Sequence, residues 1–384
     1  MKLLFLLTNF PGFGGIEKVT DYICSYLVSK GFDITILAFG TNQPSLVDNV
    51  SGRFNLMFMP EAQGYTSKTN TDYLRDVLTS NDFDFVVLQD SYAPVEHNFR
   101  EIDYPWKEKL VVVEHNDPMY IIRGLSLNTG NLMTDLLNLL RRIKRQYKNH
   151  ERHSSLRSVC RRYVLLSESY RKSLRLLTCD FGGGQGIDIQ IINNPLTISR
   201  PSSTSYQKKK QILFVGRFNY QKGLKYLLPI WNQFSENNGD NWELVLLGEG
   251  EDKPYVESYI CEHHLQNIRI DSPTTEVARY YEESAVLIMT SLFEGFPLVL
   301  AEAMSRGCVP IAFDSFSSIH DIIEPNVSGI LVTPFNVAEY VTKLNALIQD
   351  NEQLQRLAHN AIKIVERFDL DAIGSQWVEM FNHL

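Results

Sequence analysis

The sequence of 384 residues is short of cysteine and has no long apolar segment. Its five cysteines are odd in number and not closely paired, which argues against a disulfide framework or a zinc site and favours a reducing compartment, the cytoplasm. No apolar run approaches the roughly 20 residues that a membrane-spanning helix needs. The apolar start ends at Thr8 and Asn9 without a small-residue cleavage site, so we expect a buried first strand there.

An excess of positive charge is also lacking. The 37 lysines and arginines are outnumbered by 45 aspartates and glutamates, and the net charge of −8 disfavours nucleic acid as a partner. The histidines show no His-Glu-x-x-His spacing, and two Asp-x-Asp strings, Asp82–Asp84 and Asp369–Asp371, begin a predicted strand and a predicted helix. Both strings are therefore interpreted as structural, and we expect no metal and no cofactor.

What the sequence does contain is an alternation of strand-like and helix-like runs along its whole length. A chain of 384 residues suits two domains better than one core. The alternation predicts an α/β fold with parallel, doubly wound sheets. The predicted strands are 3–7, 33–38, 83–89, 110–113, 163–166 and 189–192, then 211–215, 242–247, 268–271, 285–290, 309–312 and 329–331.

The segment 194–210 is the clearest linker, because it is rich in Pro, Ser and Thr and poor in apolar residues. We therefore predict a first domain at 1–200 and a second domain at 205–367. A last helix is predicted near the C-terminus of the chain, at about 371–383.

The most informative stretch begins at Glu294, between a predicted buried strand and a predicted helix. Pro297 suits the first turn of this helix, and the N–H groups of Gly295 and Phe296 can point from its N-terminus towards a ligand. Glu302 is expected about two turns along the helix. Two carboxylates at successive levels can hold the hydroxyls of a sugar-like ligand. The alternative is that Glu294 caps the helix and Glu302 faces solvent.

The string Glu294-x7-Glu302, with its Glu-Gly-Phe-Pro and Glu-Ala-Met segments, resembles the signature of retaining glycosyltransferases of family 4, of the bacterial surface-polysaccharide type. The resemblance implies the GT-B fold, in which two Rossmann-like, doubly wound domains face each other across a cleft. It implies that the final helix, 368–384, packs back on the first domain. It also implies that Glu294 contacts the donor sugar and that Glu302 contacts the ribose of the nucleotide.

The second domain opens with another match to this family, the Gly-Arg…Lys-Gly pattern. Gly216 and Arg217 follow a predicted strand, and Lys222 comes five residues later. Fixed cations suit a diphosphate leaving group, because arginine offers a fork of donors and lysine a point charge. A solvated basic turn is the alternative. Gly248, in a Gly-x-Gly turn after the next strand, permits close approach of the nucleotide.

The first domain has a glycine-rich loop after its first strand. A dinucleotide fingerprint needs a third glycine where Glu17 stands, so a nicotinamide enzyme is disfavoured. Gly14, Gly15 and Glu17 instead resemble the Gly-Gly-x-Glu loop of the same family, which would place them on the acceptor side with Gly15 also near the donor. Many tight turns share this short pattern.

His115 ends the predicted strand 110–113. A lone histidine at a strand end is more often structural than functional. The resemblance nevertheless implies that His115 lies beside the sugar-transfer site, where it binds the acceptor or donates to a sugar hydroxyl. Asp90 follows another strand and is a weaker candidate.

The resemblance therefore implies an enzyme that moves a hexose or N-acetylhexosamine from a nucleotide diphosphate sugar to a hydroxyl of a glycan or lipid-linked glycan. The transfer would retain configuration and need no metal. Arg217 and Lys222 would hold the departing diphosphate. Two alternatives remain: an epimerase or hydrolase of nucleotide sugars on the same fold, and a non-catalytic partner that binds nucleotide sugars.

A basic stretch in the first domain suggests a further partner. Nine lysines and arginines lie between Arg141 and Arg162 against one acid, Glu151, and an apolar helical run, 132–140, precedes them. The stretch is either a solvated helix or a surface for an anionic membrane. The second interpretation predicts a peripheral enzyme on the cytoplasmic face of the inner membrane.

Overall fold

A computed structural model describes residues 1–12, 14–89, 94–120, 132–178, 186–200, 208–238 and 242–384. Within them the chain forms two compact units. The first unit consists of Met1–Thr197 together with Leu370–Leu384, and the second of Ile198–Asp369.

The first unit is built on a seven-stranded parallel sheet with the order β3-β2-β1-β4-β5-β6-β7. Its central strands are apolar and buried along most of their length, as expected for a parallel sheet that is covered on both faces. The strands are β1 (Lys2–Asn9), β2 (Asp33–Gly40), β3 (Asn55–Phe58), β4 (Phe85–Leu88), β5 (Leu110–Glu114), β6 (Arg162–Leu165) and β7 (Asp188–Ile191).

The edge strand β3 is absent from the sequence-based prediction. Its four residues, Asn-Leu-Met-Phe, include no β-branched side chain, and none of them is fully buried. An edge position against β2 alone explains both features, because such a strand needs no continuous apolar run. The other predicted strands are confirmed to within a few residues.

Seven helices of the first unit are described between β1 and β7. They are α1 (Gly15–Ser29), α2 (Val47–Ser51), α3 (Lys68–Ser80), α4 (Glu96–Glu101), α5 (Trp106–Lys109), α6 (Leu132–Val159) and α7 (Tyr170–Leu177). Local sequence sets some of their ends: the Ser67 hydroxyl caps α3 by accepting a hydrogen bond from the Asn70 N–H.

The second unit contains a six-stranded parallel sheet with the order β10-β9-β8-β11-β12-β13. Its strands are β8 (Lys209–Val215), β9 (Glu243–Leu247), β10 (Ile268–Asp271), β11 (Ser284–Met289), β12 (Val309–Phe313) and β13 (Ile330–Val332). Its described helices are α8 (Leu224–Asn238), α9 (Lys253–Glu262), α10 (Val277–Glu283), α11 (Leu298–Ser305), α12 (Val337–Gln349) and α13 (Asn351–Ile364).

The last helix, α14 (Leu370–His383), returns to the first unit and packs on α1. The Tyr26 ring lies so close to Gly374 that a side chain at this glycine would overlap it. The Tyr26 hydroxyl is 3.0 Å from the Ser375 hydroxyl. A glycine in mid-helix therefore serves close packing here.

Each sheet has one place where the strand order reverses direction. In the first sheet this switch point lies between β1 and β4, and in the second it lies between β8 and β11. In doubly wound sheets ligands bind beyond the carboxyl ends of the strands at such a point. In the second unit the loops after β8 and β11 are therefore the first places to look for a ligand site.

Candidate active site

Hydrogen bonds connect the two loops at the switch point of the second unit, which follow β8 and β11. The Leu292 N–H donates to the Gln221 carbonyl over 2.8 Å. The Thr290 hydroxyl donates to the Lys222 carbonyl over 3.0 Å. The turn after β8 and the segment after β11 thus form one framework. This framework fixes the positions of their side chains relative to each other.

The Glu294 carboxylate lies on this framework and accepts hydrogen bonds from two side chains. The Lys222 ammonium donates to Glu294 Oε1 over 2.6 Å, and the Gln221 amide donates to Glu294 Oε2 over 3.0 Å. The same amide also donates to the Phe293 carbonyl over 3.0 Å. The Lys222 and Glu294 side chains are only 17% and 8% exposed, so this ion pair is screened less than a surface pair.

Arg217 is not part of this cluster. Its side chain is 74% exposed, and its Nε lies 3.7 Å from Glu251 Oε2. Of the two cations predicted to form a diphosphate clamp, Lys222 is thus already positioned by a carboxylate, whereas Arg217 reaches into solvent at the same strand end.

Two glycines allow the loops after β8 and β9 to touch. A methyl group built on Gly248 would overlap the Gly216 carbonyl oxygen. Any side chain at position 248 would therefore force the two loops apart. A methyl group on Gly216 would lie 3.1 Å from Lys222 Cε, which shows that the lysine stem runs directly over this glycine. These backbones form the base beneath the Lys222 ammonium.

The turn after Glu294 differs slightly from the prediction. Pro297 lies one residue before α11 as its N-cap, with extended backbone angles, and not inside the first turn. Phe296 is buried, and the Gly295 carbonyl accepts a hydrogen bond from the Ser318 hydroxyl. The predicted order of strand, turn and helix is confirmed.

Glu302 is the fifth residue of α11, about one turn along the helix, and not two turns as predicted. Glu302 is four residues beyond Leu298, where the helix starts, and at 3.6 residues per turn this is just over one turn. Glu302 is 3% exposed, and its Oε2 accepts a hydrogen bond from the Tyr281 hydroxyl over 2.9 Å. The alternative of a solvent-facing Glu302 is therefore wrong.

In the first unit, the glycine-rich loop leads into α1 as predicted. Gly14 is the N-cap of α1 and Gly15 its first residue. The Glu17 side chain turns back over the loop, so closely that a methyl group on Gly14 would overlap its carboxylate. The negative charge of Glu17 thus lies in the first turn, where it is favourable for the helix dipole.

His115 follows β5 and is bonded to a residue that the sequence analysis did not identify. Its Nε2 lies 2.6 Å from the Oε1 of Gln89, which follows β4, and both side chains are buried. This hydrogen bond fixes the orientation of the His115 ring against the side-chain amide of Gln89. Asp90 lies outside the described residues.

The two Asp-x-Asp strings have structural partners. The Asp84 carboxylate accepts from the Lys2 N–H over 2.7 Å, and the Asp82 carboxylate lies 3.3 Å from the Lys109 ammonium. Asp369 lies 3.0 Å from the Arg200 guanidinium. In the part of the chain that the structure describes, no three His, Cys, Asp or Glu side chains are grouped to hold a metal ion.

Comparison with known proteins decides the class of the molecule. Residues 197–364 match the model of the family Glycosyl transferases group 1. The amylovoran biosynthesis glycosyltransferase AmsD of Erwinia amylovora is 24% identical over 408 aligned positions, covering 99% of both chains. A lipopolysaccharide 1,6-galactosyltransferase of Salmonella typhimurium is 27% identical over 57% of this chain and 61% of its own. The chain is a glycosyltransferase.

Solved structures confirm the fold of this glycosyltransferase. The HepE protein of Anabaena, solved in complex with UDP-glucose, superposes with a TM-score of 0.77 at 18% identity over the whole of both chains. The two parallel-sheet units together with this similarity establish the GT-B fold that the sequence predicted. The family match falls on the unit that carries Lys222, Glu294 and Glu302.

Proposed function

We propose that this glycosyltransferase moves a hexose or N-acetylhexosamine from a nucleotide diphosphate sugar to a hydroxyl of a glycan acceptor, with retention of configuration and without a metal ion. The observation that carries the proposal is the Lys222–Glu294 pair at the switch point of the second unit. One site there presents a cation for a diphosphate and a carboxylate for sugar hydroxyls.

The hydrogen-bonding groups of Lys222 and Glu294 can bind the diphosphate and the donor sugar at the same time. An ammonium has three N–H donors, and one of them is used by Glu294, so phosphate oxygens can be bound without breaking the ion pair. Each carboxylate oxygen of Glu294 can accept a second hydrogen bond from a sugar hydroxyl. Gln221 keeps the carboxylate in place while the lysine binds the diphosphate.

The proposed reaction takes place on one face of the sugar. The bond between the anomeric carbon and the diphosphate oxygen breaks, the acceptor oxygen bonds to that carbon from the same side, and the acceptor proton passes to the departing diphosphate oxygen. Lys222 and Arg217 offset the charge that develops on the diphosphate. Glu294 and Glu302 position the donor, and His115, Gly14, Gly15 and Glu17 serve the acceptor side, as the family resemblance implies.

Relatives support the choice of donor and acceptor. HepE was solved with UDP-glucose, so uridine diphosphate hexoses are the first donors to test. The full-length relative acts in amylovoran biosynthesis, and the Salmonella relative acts on lipopolysaccharide. We therefore propose a role in bacterial polysaccharide synthesis, with a glycan or lipid-linked glycan as the acceptor.

The first prediction concerns the reaction itself. Purified protein with UDP-sugars, a panel of glycan and lipid-linked acceptors, and excess EDTA is expected to form a glycoside whose anomeric configuration, measured by NMR, matches that of the donor. Inversion, or loss of activity in EDTA that Mg²⁺ or Mn²⁺ restores, would contradict the proposal. Release of free or epimerised sugar from donor alone would indicate a hydrolase or epimerase instead.

We further propose that the enzyme acts at an anionic membrane surface through α6. This helix exposes a row of apolar side chains at helical spacing, which are Met133, Leu136, Leu137, Leu140, Ile143 and Tyr147, each at least 46% exposed. The row is about 21 Å long at 1.5 Å per residue. A helix with an apolar face and basic flanks lies in the plane of a membrane interface.

Six of the nine basic residues of 141–162 fall into two groups with different surroundings. Arg141, Lys144, Arg145 and Lys148 are exposed along the apolar row. Arg157 donates to the Thr178 carbonyl over 2.6 Å and Arg162 donates to the Glu108 carbonyl, so these two serve the fold of the first unit. The proposed membrane surface is therefore 133–148, shorter than the sequence suggested. None of the described helices is long and apolar enough to cross a bilayer.

The second prediction tests this surface by co-sedimentation with liposomes. Each lysine or arginine near an anionic bilayer contributes roughly 1 kcal/mol, so changing Arg141, Lys144 and Lys148 to Gln is expected to weaken binding by about 10²-fold at low salt. Changing Leu136, Leu140 and Ile143 to Ser is expected to abolish binding at both low and high salt. Leu176→Ser, at an exposed apolar residue of α7, is the matched control. The proposal would be contradicted by equal binding to anionic and neutral liposomes. It would also be contradicted if the triple Ser variant still bound the liposomes.

A further inference from the structure

In the second unit, a buried tyrosine is hydrogen-bonded to the Glu302 side chain. Tyr281, the fifth residue of α10, is fully buried, and its hydroxyl donates to Glu302 Oε2 over 2.9 Å. No sequence motif singles out Tyr281, because it lies 21 residues before the carboxylate that it contacts.

The hydrogen bond from Tyr281 stabilises the buried carboxylate of Glu302. Removing an ionised carboxylate from water is unfavourable unless hydrogen bonds replace those of water. Burial raises the pKa of Tyr281 well above its ordinary value, and the negative charge of Glu302 raises it further, so the phenol remains a donor at any physiological pH. A neutral donor binds Glu302 without bringing an opposite charge to it.

The ends of α10 and α11 are also joined by hydrogen bonds that do not involve the Tyr281 hydroxyl. The Arg306 guanidinium, just after α11, donates to the Glu282 carboxylate of α10. The Lys208 ammonium donates to the carbonyls of Tyr281 (2.9 Å), Glu282 (2.8 Å) and Arg306 (2.6 Å), which joins the ends of the two helices. Removal of the Tyr281 hydroxyl alone therefore leaves these other bonds between the helices in place.

We propose that Tyr281 is a positioning residue, which orients the Glu302 carboxylate to accept hydrogen bonds from the ribose hydroxyls of the nucleotide. The inference rests on the proposed function, in which Glu302 binds the ribose. A carboxylate offers about four acceptor positions, and the bond from Tyr281 fills only one of them. Tyr281 does not touch the ligand and acts only through Glu302.

The test is a thermodynamic cycle on nucleotide binding, measured by calorimetry. The probe is whichever of UDP, GDP and ADP the wild-type protein binds, paired with its 2′,3′-dideoxy analogue. Tyr281→Phe is expected to weaken binding of the ribose nucleotide by about 5- to 10-fold, the scale of one ordinary hydrogen bond, because the tyrosine acts only through Glu302. Binding of the dideoxy analogue is expected to stay within about twofold, because it has no hydroxyl for Glu302 to accept.

Tyr340→Phe is the matched control, since Tyr340 is also fully buried in the second unit but donates to the Ile311 carbonyl instead. It is expected to leave the ratio of the two affinities unchanged, whereas Glu302→Gln should reduce that ratio at least as much as Tyr281→Phe. Equal weakening of both nucleotides in Tyr281→Phe, as a merely structural role requires, would overturn the inference alone. Failure of the wild-type protein to bind any of the three nucleotides would overturn the proposed function and the inference with it.

Discussion

Replacement of Lys222 by Met is expected to lower kcat by about 10²- to 10³-fold, the scale for removing one preorganised charge from a developing anion. The ammonium is part-buried and already placed by Glu294 at 2.6 Å, so it needs little rearrangement to bind the diphosphate. Met keeps the side chain as far as Cε, the part that runs over Gly216, and removes the ammonium group. Steady-state kinetics with the best UDP-sugar donor measure the effect.

Two controls separate chemistry from stability. Lys225→Met removes a nearby lysine that is exposed and packs over the Tyr226 ring, and it should leave kcat unchanged. The double variant Lys222→Met, Glu294→Gln removes both charges of the pair, so it should recover part of the unfolding free energy that the single variant loses. It should not recover turnover. Near-normal kcat in Lys222→Met would mean that the diphosphate is held elsewhere.

The strands of the two sheets were predictable because most of them are buried runs of four to eight residues with helical segments between them. β11 and β12, for example, are buried at every position and stand out from their surroundings. β3 could not be found in this way, because an edge strand pairs on one side only and needs no apolar run. The order of the strands was not predicted either; it depends on non-local pairing such as β8 with β11.

The candidate site was predicted as separate residues and not as an arrangement. Glu294 and Lys222 were both identified, but the sequence places them 72 residues apart and gave no sign that they bond. Gln221 was overlooked beside Lys222, since a glutamine in a turn is ordinarily solvated. Gln89 and Tyr281 carry no local signal at all, because their importance arises only from the partners that the fold brings to them.

The surface of α6 combines a feature that the sequence shows, its positive charge, with one that it does not show, its exposed apolar row. The positive charges of 141–162 drew attention to the helix. An apolar run such as 132–140 ordinarily predicts a buried face, yet the structure exposes Leu136 and Leu140. Exposure of these side chains is a property of tertiary packing, so it could not be deduced from the helical period alone.

The largest effect on stability is expected from Gly223, which ends the turn that carries Lys222. Gly223 has a φ of +65°, and a methyl group built on it would overlap the backbone carbonyl oxygen of Thr290. Gly223→Ala therefore combines the cost of a left-handed backbone, about 1 kcal/mol, with that of a clash against rigid backbone, about 1–3 kcal/mol. Relieving the clash separates the loops after β8 and β11, so Lys222 should move away from Glu294 and kcat should fall as well.

Gly307 provides the matched control for this prediction. Its φ of +69° is nearly the same, but a methyl group there would lie 3.4 Å from Ile362 Cδ1, an ordinary contact with a side chain. Urea unfolding should show a loss of about 1 kcal/mol for Gly307→Ala with unchanged kcat, and a loss of about 2–4 kcal/mol for Gly223→Ala. Similar losses in the two variants would show that the Thr290 carbonyl can move aside. The loop contact would then not be what fixes Lys222 beside Glu294.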